Sequence, residues 1–229
     1  MMTGTIRRQR KNYLLPTEAL PIFIQMVGVP ITKFKTGTRC TSAEDIAKER
    51  AQYKAWGLPD EFHGQPYFLT FENSKTIVFY YDEFLGSIVL KEIAYDVDAG
   101  DFFDTLESQD QLGSRTQIRG AVDLPSQLNL SGKTIKAITI YKLPNNFYGK
   151  PTAYDLLNEC VVCLDVSVAA AENALLVCEV ASKKNPGKKV DNIRLDNWQN
   201  LDPGALAELT CIWSSSEAGG AKPDPIAQN

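Results

Sequence analysis

The stretch from 67 to 81 limits the possible folds most. Tyr67-Phe68-Leu69-Thr70-Phe71 and Thr76-Ile77-Val78-Phe79-Tyr80-Tyr81 are dense in aromatic and β-branched residues. Such side chains lose rotamer freedom in a helix and fit the pleated surface of a sheet. Between them, Glu72-Asn73-Ser74-Lys75 is a connection of hairpin length. A third run, 88–97, follows the turn residues Leu85-Gly86-Ser87. Three strands in succession with short links predict an antiparallel meander. The aromatics Tyr67, Phe68, Phe71, Phe79, Tyr80, Tyr81 and Phe84 cannot share one face, because strand side chains alternate. Either both faces of this sheet are covered by the chain itself, or one meets a partner.

Further strands are expected at 22–29, at 116–122 as an edge strand, and at 134–141, 160–168, 174–181 and 210–213, from β-branched or alternating runs. A helix is expected over 41–56. Thr41 with Glu44, or Ser42 with Asp45, makes a capping box, Glu44 precedes Lys48 by four residues, and Gly57 and Pro59 stop it. Residues 101–112 also read as helical, with Phe102, Phe103 and Leu106 inward and acids in the first turn. A short helix is expected at 202–209 and a helical turn at 15–18 with Thr17 as its cap. The fold class is therefore α+β: mainly antiparallel sheet with two or three helices. Residues 1–12 form a flexible basic arm, 13–213 a single domain with a possible lobe seam at 113–125, and 214–229, rich in Ser, Gly, Ala and Pro, a disordered tail.

Charge is unevenly distributed. Residues 1–40 hold seven bases and one acid, whereas the other 189 residues hold 17 bases and 27 acids. The bases include Arg7, Arg8, Arg10 and Lys11 in the arm. A second group, Lys183, Lys184, Lys188 and Lys189, surrounds Asn185-Pro186-Gly187. Mobile or clustered cations of this kind suit phosphates or an acidic partner. Between Lys91 and Arg115 stand seven acids and no base: Glu92, Asp96, Asp98, Asp101, Asp104, Glu107 and Asp110. From Asp96 to Asp110 they form a candidate docking face for a basic partner, the arm of a neighbouring copy included. They do not make a calcium loop, because Gly100 and Asp101 stand in reversed order at the turn.

Several chemistries are excluded by counting. The single histidine, His63, lies among turn-formers and cannot supply a two- or three-imidazole metal site. The five cysteines, Cys40, Cys160, Cys163, Cys178 and Cys211, fall mostly in apolar runs and read as buried thiols of a reducing compartment. Cys160 and Cys163 lack the second paired knuckle that a zinc site uses. Ser131-Gly132-Lys133-Thr134 ends like a phosphate loop, but Gln127 stands where its upstream glycine belongs and a strand follows. No leader or membrane-length apolar run is visible, so a cytoplasmic location is expected. Neither a cofactor, a metal nor a catalytic set is assigned. Asp82-Glu83, at a strand end, is a carboxylate pair with no supporting partner.

The expected function is a non-catalytic protein-interaction or assembly role, as a subunit of a larger intracellular or phage/capsid-like complex. Two alternatives stand beside it: a nucleic-acid-binding component of such a complex, and an enzyme working through carboxylates.

Overall fold

A computed structural model describes residues 13–38, 44–45, 47–48, 51, 66–82, 85–94, 103–104, 117–118, 120–124, 129–144, 147, 158–166, 173–184, 186–187 and 193–216. The expectations for the basic arm, for His63 and Cys40, and for most of the acidic stretch fall outside these residues.

Mostly antiparallel sheet, with few helices, makes up the described chain. The first sheet has five strands: β1 (Ile31–Thr38), β2 (Tyr67–Phe71), β3 (Thr76–Asp82), β4 (Ser87–Ile93) and β7 (Gly120–Asp123), in the order β4-β3-β2-β1-β7. The second also has five: β8 (Ala137–Lys142), β9 (Glu159–Asp165), β10 (Asn173–Val177), β11 (Arg194–Asp196) and β12 (Thr210–Ser214), in the order β11-β10-β9-β8-β12. Two further short strands, β5 (Phe103–Asp104) and β6 (Gln117–Ile118), pair with each other.

The β2–β3–β4 meander follows the sequence closely. Ser74 takes φ +63°, and the turn closes through Phe71 N to Lys75 O at 2.9 Å. Every residue of β2 is buried, so this sheet is covered on both faces. Toward the second sheet it presents Leu90, Phe79 and Tyr67 in one cross-strand row and Ile77, Leu69 and Phe34 in another. On the opposite face, Val89 packs with Tyr13, Leu15 and Leu85.

The residues at 22–29 are not a strand. Leu20–Met26 is a helix that buries Phe23 and Met26. Pro21 stands in its first turn, where a missing N–H costs nothing, and Gly28, at φ +83°, ends it in the left-handed region. These two punctuation residues outweigh the β-branched Ile22 and Ile24. Phe23 stacks on Phe79 of the first sheet at 6.3 Å and on Trp213 of the second at 6.2 Å, so one ring joins helix and both sheets. Ile140, Val162, Leu176 and Leu195 share Trp213's face, and the inner faces of the two sheets form one continuous core.

Other differences are local. Phe103 and Asp104, expected in a helix, pair as strand with Ile118 and Gln117, so β pairing overrides the helical periodicity there. β1 is a strand that its local sequence does not predict. In the turn at Pro16–Glu18, Thr17 is not the cap; the Glu18 carboxylate instead accepts the Leu15 N–H at 2.9 Å. Helical backbone at residues 44, 45, 47, 48 and 51 agrees with expectation, and Lys48 pairs with Glu44 at 2.9 Å. The Pro203–Glu208 helix is capped by Asp202, which accepts from Ala205 N at 3.2 Å. Ser214–Ser216, placed in the tail by composition, is held by the Ser215 N to Ile138 O bond at 2.9 Å.

The strand edges carry protection. β11 is three residues long, β12 has a bulge between Cys211 and Trp213, and β4 is covered by Leu14, which exchanges two 2.8 Å backbone bonds with Leu90. Short, bulged or covered edges resist uncontrolled strand addition.

Candidate functional site

Of the expected basic residues, Lys183 and Lys184 are described. Both are exposed in a turn that rests on the second 3-10 turn (Trp198–Asn200) through Lys183 N to Asn200 O at 2.9 Å. Arg7, Arg8, Arg10, Lys11, Lys188 and Lys189 lie outside the described residues, as do Asp96, Asp98, Asp101, Glu107 and Asp110. Asp104 is described by its backbone alone, on β5. The described residues that adjoin the arm lie on the edge of the first sheet. Leu14 pairs antiparallel with Leu90, and Lys91 Nζ sits 5.7 Å over the Tyr13 ring. Because this pairing is antiparallel, Tyr13 lies on the Ile93 side of Leu14.

The polar groups with the strongest constraints were missed by sequence reasoning. They gather at one end of the two-sheet stack. Glu159, at the start of β9, is 6% exposed and turns toward the first sheet. Thr17 donates its N–H to Oε2 at 2.9 Å and its hydroxyl to Oε1 at 2.5 Å. The Glu159 N–H donates to Ser87 Oγ at 3.1 Å, and Ser87 donates to Leu85 O. Nearby along the same end, the Tyr81 hydroxyl donates to Glu179, and the Leu195 N–H donates to the Tyr67 hydroxyl at 3.0 Å. Glu179 and Asn158 hold φ of +60° and +52°. A non-glycine residue there costs about 1–2 kcal/mol, which the surrounding bonds must offset. The Glu159 carboxylate ties β9 to the Pro16–Glu18 turn, and the Glu179 carboxylate ties the chain after β10 to β3.

Burial is the main cause that raises the Glu159 pKa above its ordinary value of 4.5, and Glu18 adds to it. The two Thr17 bonds and Lys142 oppose the rise. The folded state consequently holds this proton more tightly than the unfolded chain does. Below the ordinary value both states are protonated and nothing is lost; as pH rises through the ordinary value toward the raised one, stability falls. Glu159→Gln keeps an acceptor for the Thr17 N–H and cannot ionise. In urea unfolding, the wild-type stability relative to this variant should fall as pH rises through 4.5 and level off once Glu159 is ionised in the folded state too. Parallel curves for the two proteins would overturn this assignment.

On the outer face of the second sheet, a register row runs from Arg194 through Val177, Val161 and Tyr141 to Cys211. The connection from β11 to β12 crosses between opposite edges over this face, and Trp198 meets Tyr141 edge-on at 5.2 Å. Arg194 and Asp196, two apart on β11, share the face and form a buried ion pair, Nε to Oδ2 at 2.8 Å. Burial pushes the Cys160 and Cys163 thiols up to about 12, with Asp165 adding to the second. A thiol with so high a pKa is neutral and a poor nucleophile, as expected of structural cysteines. Cys178 is also buried, whereas Cys211 is exposed.

The remaining candidates have structural duties. Asp82 accepts the Leu85 N–H at 3.2 Å and so shapes the β3–β4 turn. Ser131 accepts the Phe34 N–H at 3.0 Å, and Gly132 donates to Ile31 O at 2.7 Å, which makes that turn a clasp on β1. A depression of about 350 Å³ beside the hairpin turn is bordered by Thr32, Lys33, Thr70 and Glu72. Among the described residues, no three His, Cys, Asp or Glu side chains converge to hold a metal ion. No helix among them is long and apolar enough to cross a membrane. Comparison with protein-family models, with curated proteins and with solved structures finds no match.

Proposed function

We propose that this chain is a non-catalytic assembly subunit, joined to its neighbours through the basic arm and the acidic stretch. The observation that carries this reading is the Leu14–Leu90 pairing. It places Leu14, two residues beyond the arm, against β4, and β4 is followed in sequence by the acids from Asp96 onward. Opposite charge on two segments of one chain is self-complementary between copies, which is the requirement for a repeating assembly. Exposed Lys183 and Lys184 support a second reading, contact with nucleic acid.

Removing residues 1–11 leaves Tyr13 and Leu14 on the sheet edge. Size-exclusion chromatography with light scattering should then show a multimer falling to a monomer. Salt near 1 M, where the screening length is about 3 Å, should do the same to the intact chain. A mass unchanged by the deletion would sink the arm mechanism. Nucleic acid co-eluting with the intact protein, read from its ultraviolet absorbance ratio, would favour the second reading.

A further inference from the structure

Arg194 is only 3% exposed, and its Nε is satisfied by Asp196. Its Nη1 and Nη2 are also buried and have no hydrogen-bond partner among the described residues. Leaving charged donors in this state costs more than leaving neutral ones, so the arrangement calls for an acceptor. The two Nη groups form a planar fork whose geometry matches a pair of coplanar oxygens. The fork belongs to β11, the outermost strand of its sheet, so an incoming group need not pass between strands.

We propose that the Nη1–Nη2 fork of Arg194 binds a small monocarboxylate. Charge balance favours this class over phosphate. Arg194 and Asp196 already cancel, so a monocarboxylate leaves one net negative charge in a buried site, whereas a phosphate leaves closer to two. Asp196 is the positioning residue: it holds Nε at 2.8 Å and leaves both Nη groups for another acceptor. Neither the basic arm nor the acidic stretch takes part, so the site is independent of the assembly reading.

The test uses the full chain labelled with ¹⁵N-arginine. Acetate is the probe, titrated against chloride at equal ionic strength. One set of Arg side-chain resonances should shift saturably with acetate and not with chloride, and the melting temperature should rise with it. Arg194→Lys, which keeps the charge but lacks the planar two-nitrogen fork, should weaken acetate binding about ten- to a hundredfold. Three results would overturn the proposal. One is an Arg194 Nη signal already hydrogen-bonded and protected before acetate is added, which would mean that the acceptor belongs to the chain. Another is an equal thermal response in wild type and variant. The third is inorganic phosphate displacing acetate from the same resonance. If Arg194→Lys fails to fold, the wild-type titration alone decides.

Discussion

Phe23→Ala is expected to lower the unfolding free energy by about 3–5 kcal/mol, the range for a fully buried aromatic ring replaced by a methyl group. Phe23 has no exposed surface, and its ring lies between Phe79 of one sheet and Trp213 of the other. Three structural elements meet on it, so the void left behind cannot be closed by moving any one of them without opening a gap elsewhere. Against a total stability of about 5–15 kcal/mol for ordinary domains, the loss is a large fraction. In urea unfolding the midpoint should fall while the slope stays constant. Ile24, the next residue on the same helix, is 57% exposed, and Ile24→Ala should change stability by less than about 0.5 kcal/mol. Helix propensity would affect both variants; packing between the sheets affects only the first. Equal losses at the two positions would mean that the helix, not the junction, is what Phe23 supports.

That junction also shows which parts of the fold were legible. The β2–β3 hairpin was readable because its signal is local: two β-rich runs and a turn lie within sixteen residues of chain. Asp202 and Pro203 announced their helix for the same reason. β1 gave no such signal. It carries Lys33, Lys35 and Gly37, and it becomes a strand by pairing with β2 on one side and β7 on the other, both distant in sequence. Lys35 and Thr36 are nevertheless buried within it. At 22–29 the composition favoured a strand, while Pro21 and Gly28 carried the correct boundary information. The helix–strand choice for a short apolar run rests on such flanking residues.

The candidate sites divide along the same line. Charge clusters are visible in any sequence, and Lys183 and Lys184 are exposed as their composition suggests. The buried polar groups were hidden because their partners are remote: Glu159 meets Thr17 across 142 positions, and Leu195 meets Tyr67 across 128. Arg194 and Asp196 are only two apart, a spacing that places both on one strand face. That spacing becomes informative once 194–196 is known to be a strand, and the local sequence did not establish it.

The largest electrostatic effect is expected at that pair. Asp196→Ala should destabilise the protein by about 3–5 kcal/mol, because it strands a buried guanidinium without a counter-charge. Both side chains are nearly inaccessible, at 3% and 5% exposure, so solvent cannot take over the role of the lost carboxylate. The variant also loses the acceptor for the Asn197 N–H, which Asp196 Oδ1 holds at 2.9 Å. Removing both charges has a different consequence. Arg194→Met with Asp196→Leu fills the same space with apolar groups beside Leu175 and Val177, and buried pairs so replaced are often neutral or better in stability. The double variant should therefore recover most of what Asp196→Ala loses, and a cycle of single and double variants in urea would measure the coupling. Recovery would show that folding does not require the pair, leaving the carboxylate site as the reason for burying a guanidinium at this edge. A double variant as unstable as Asp196→Ala would instead make the ion pair a structural necessity of the second sheet.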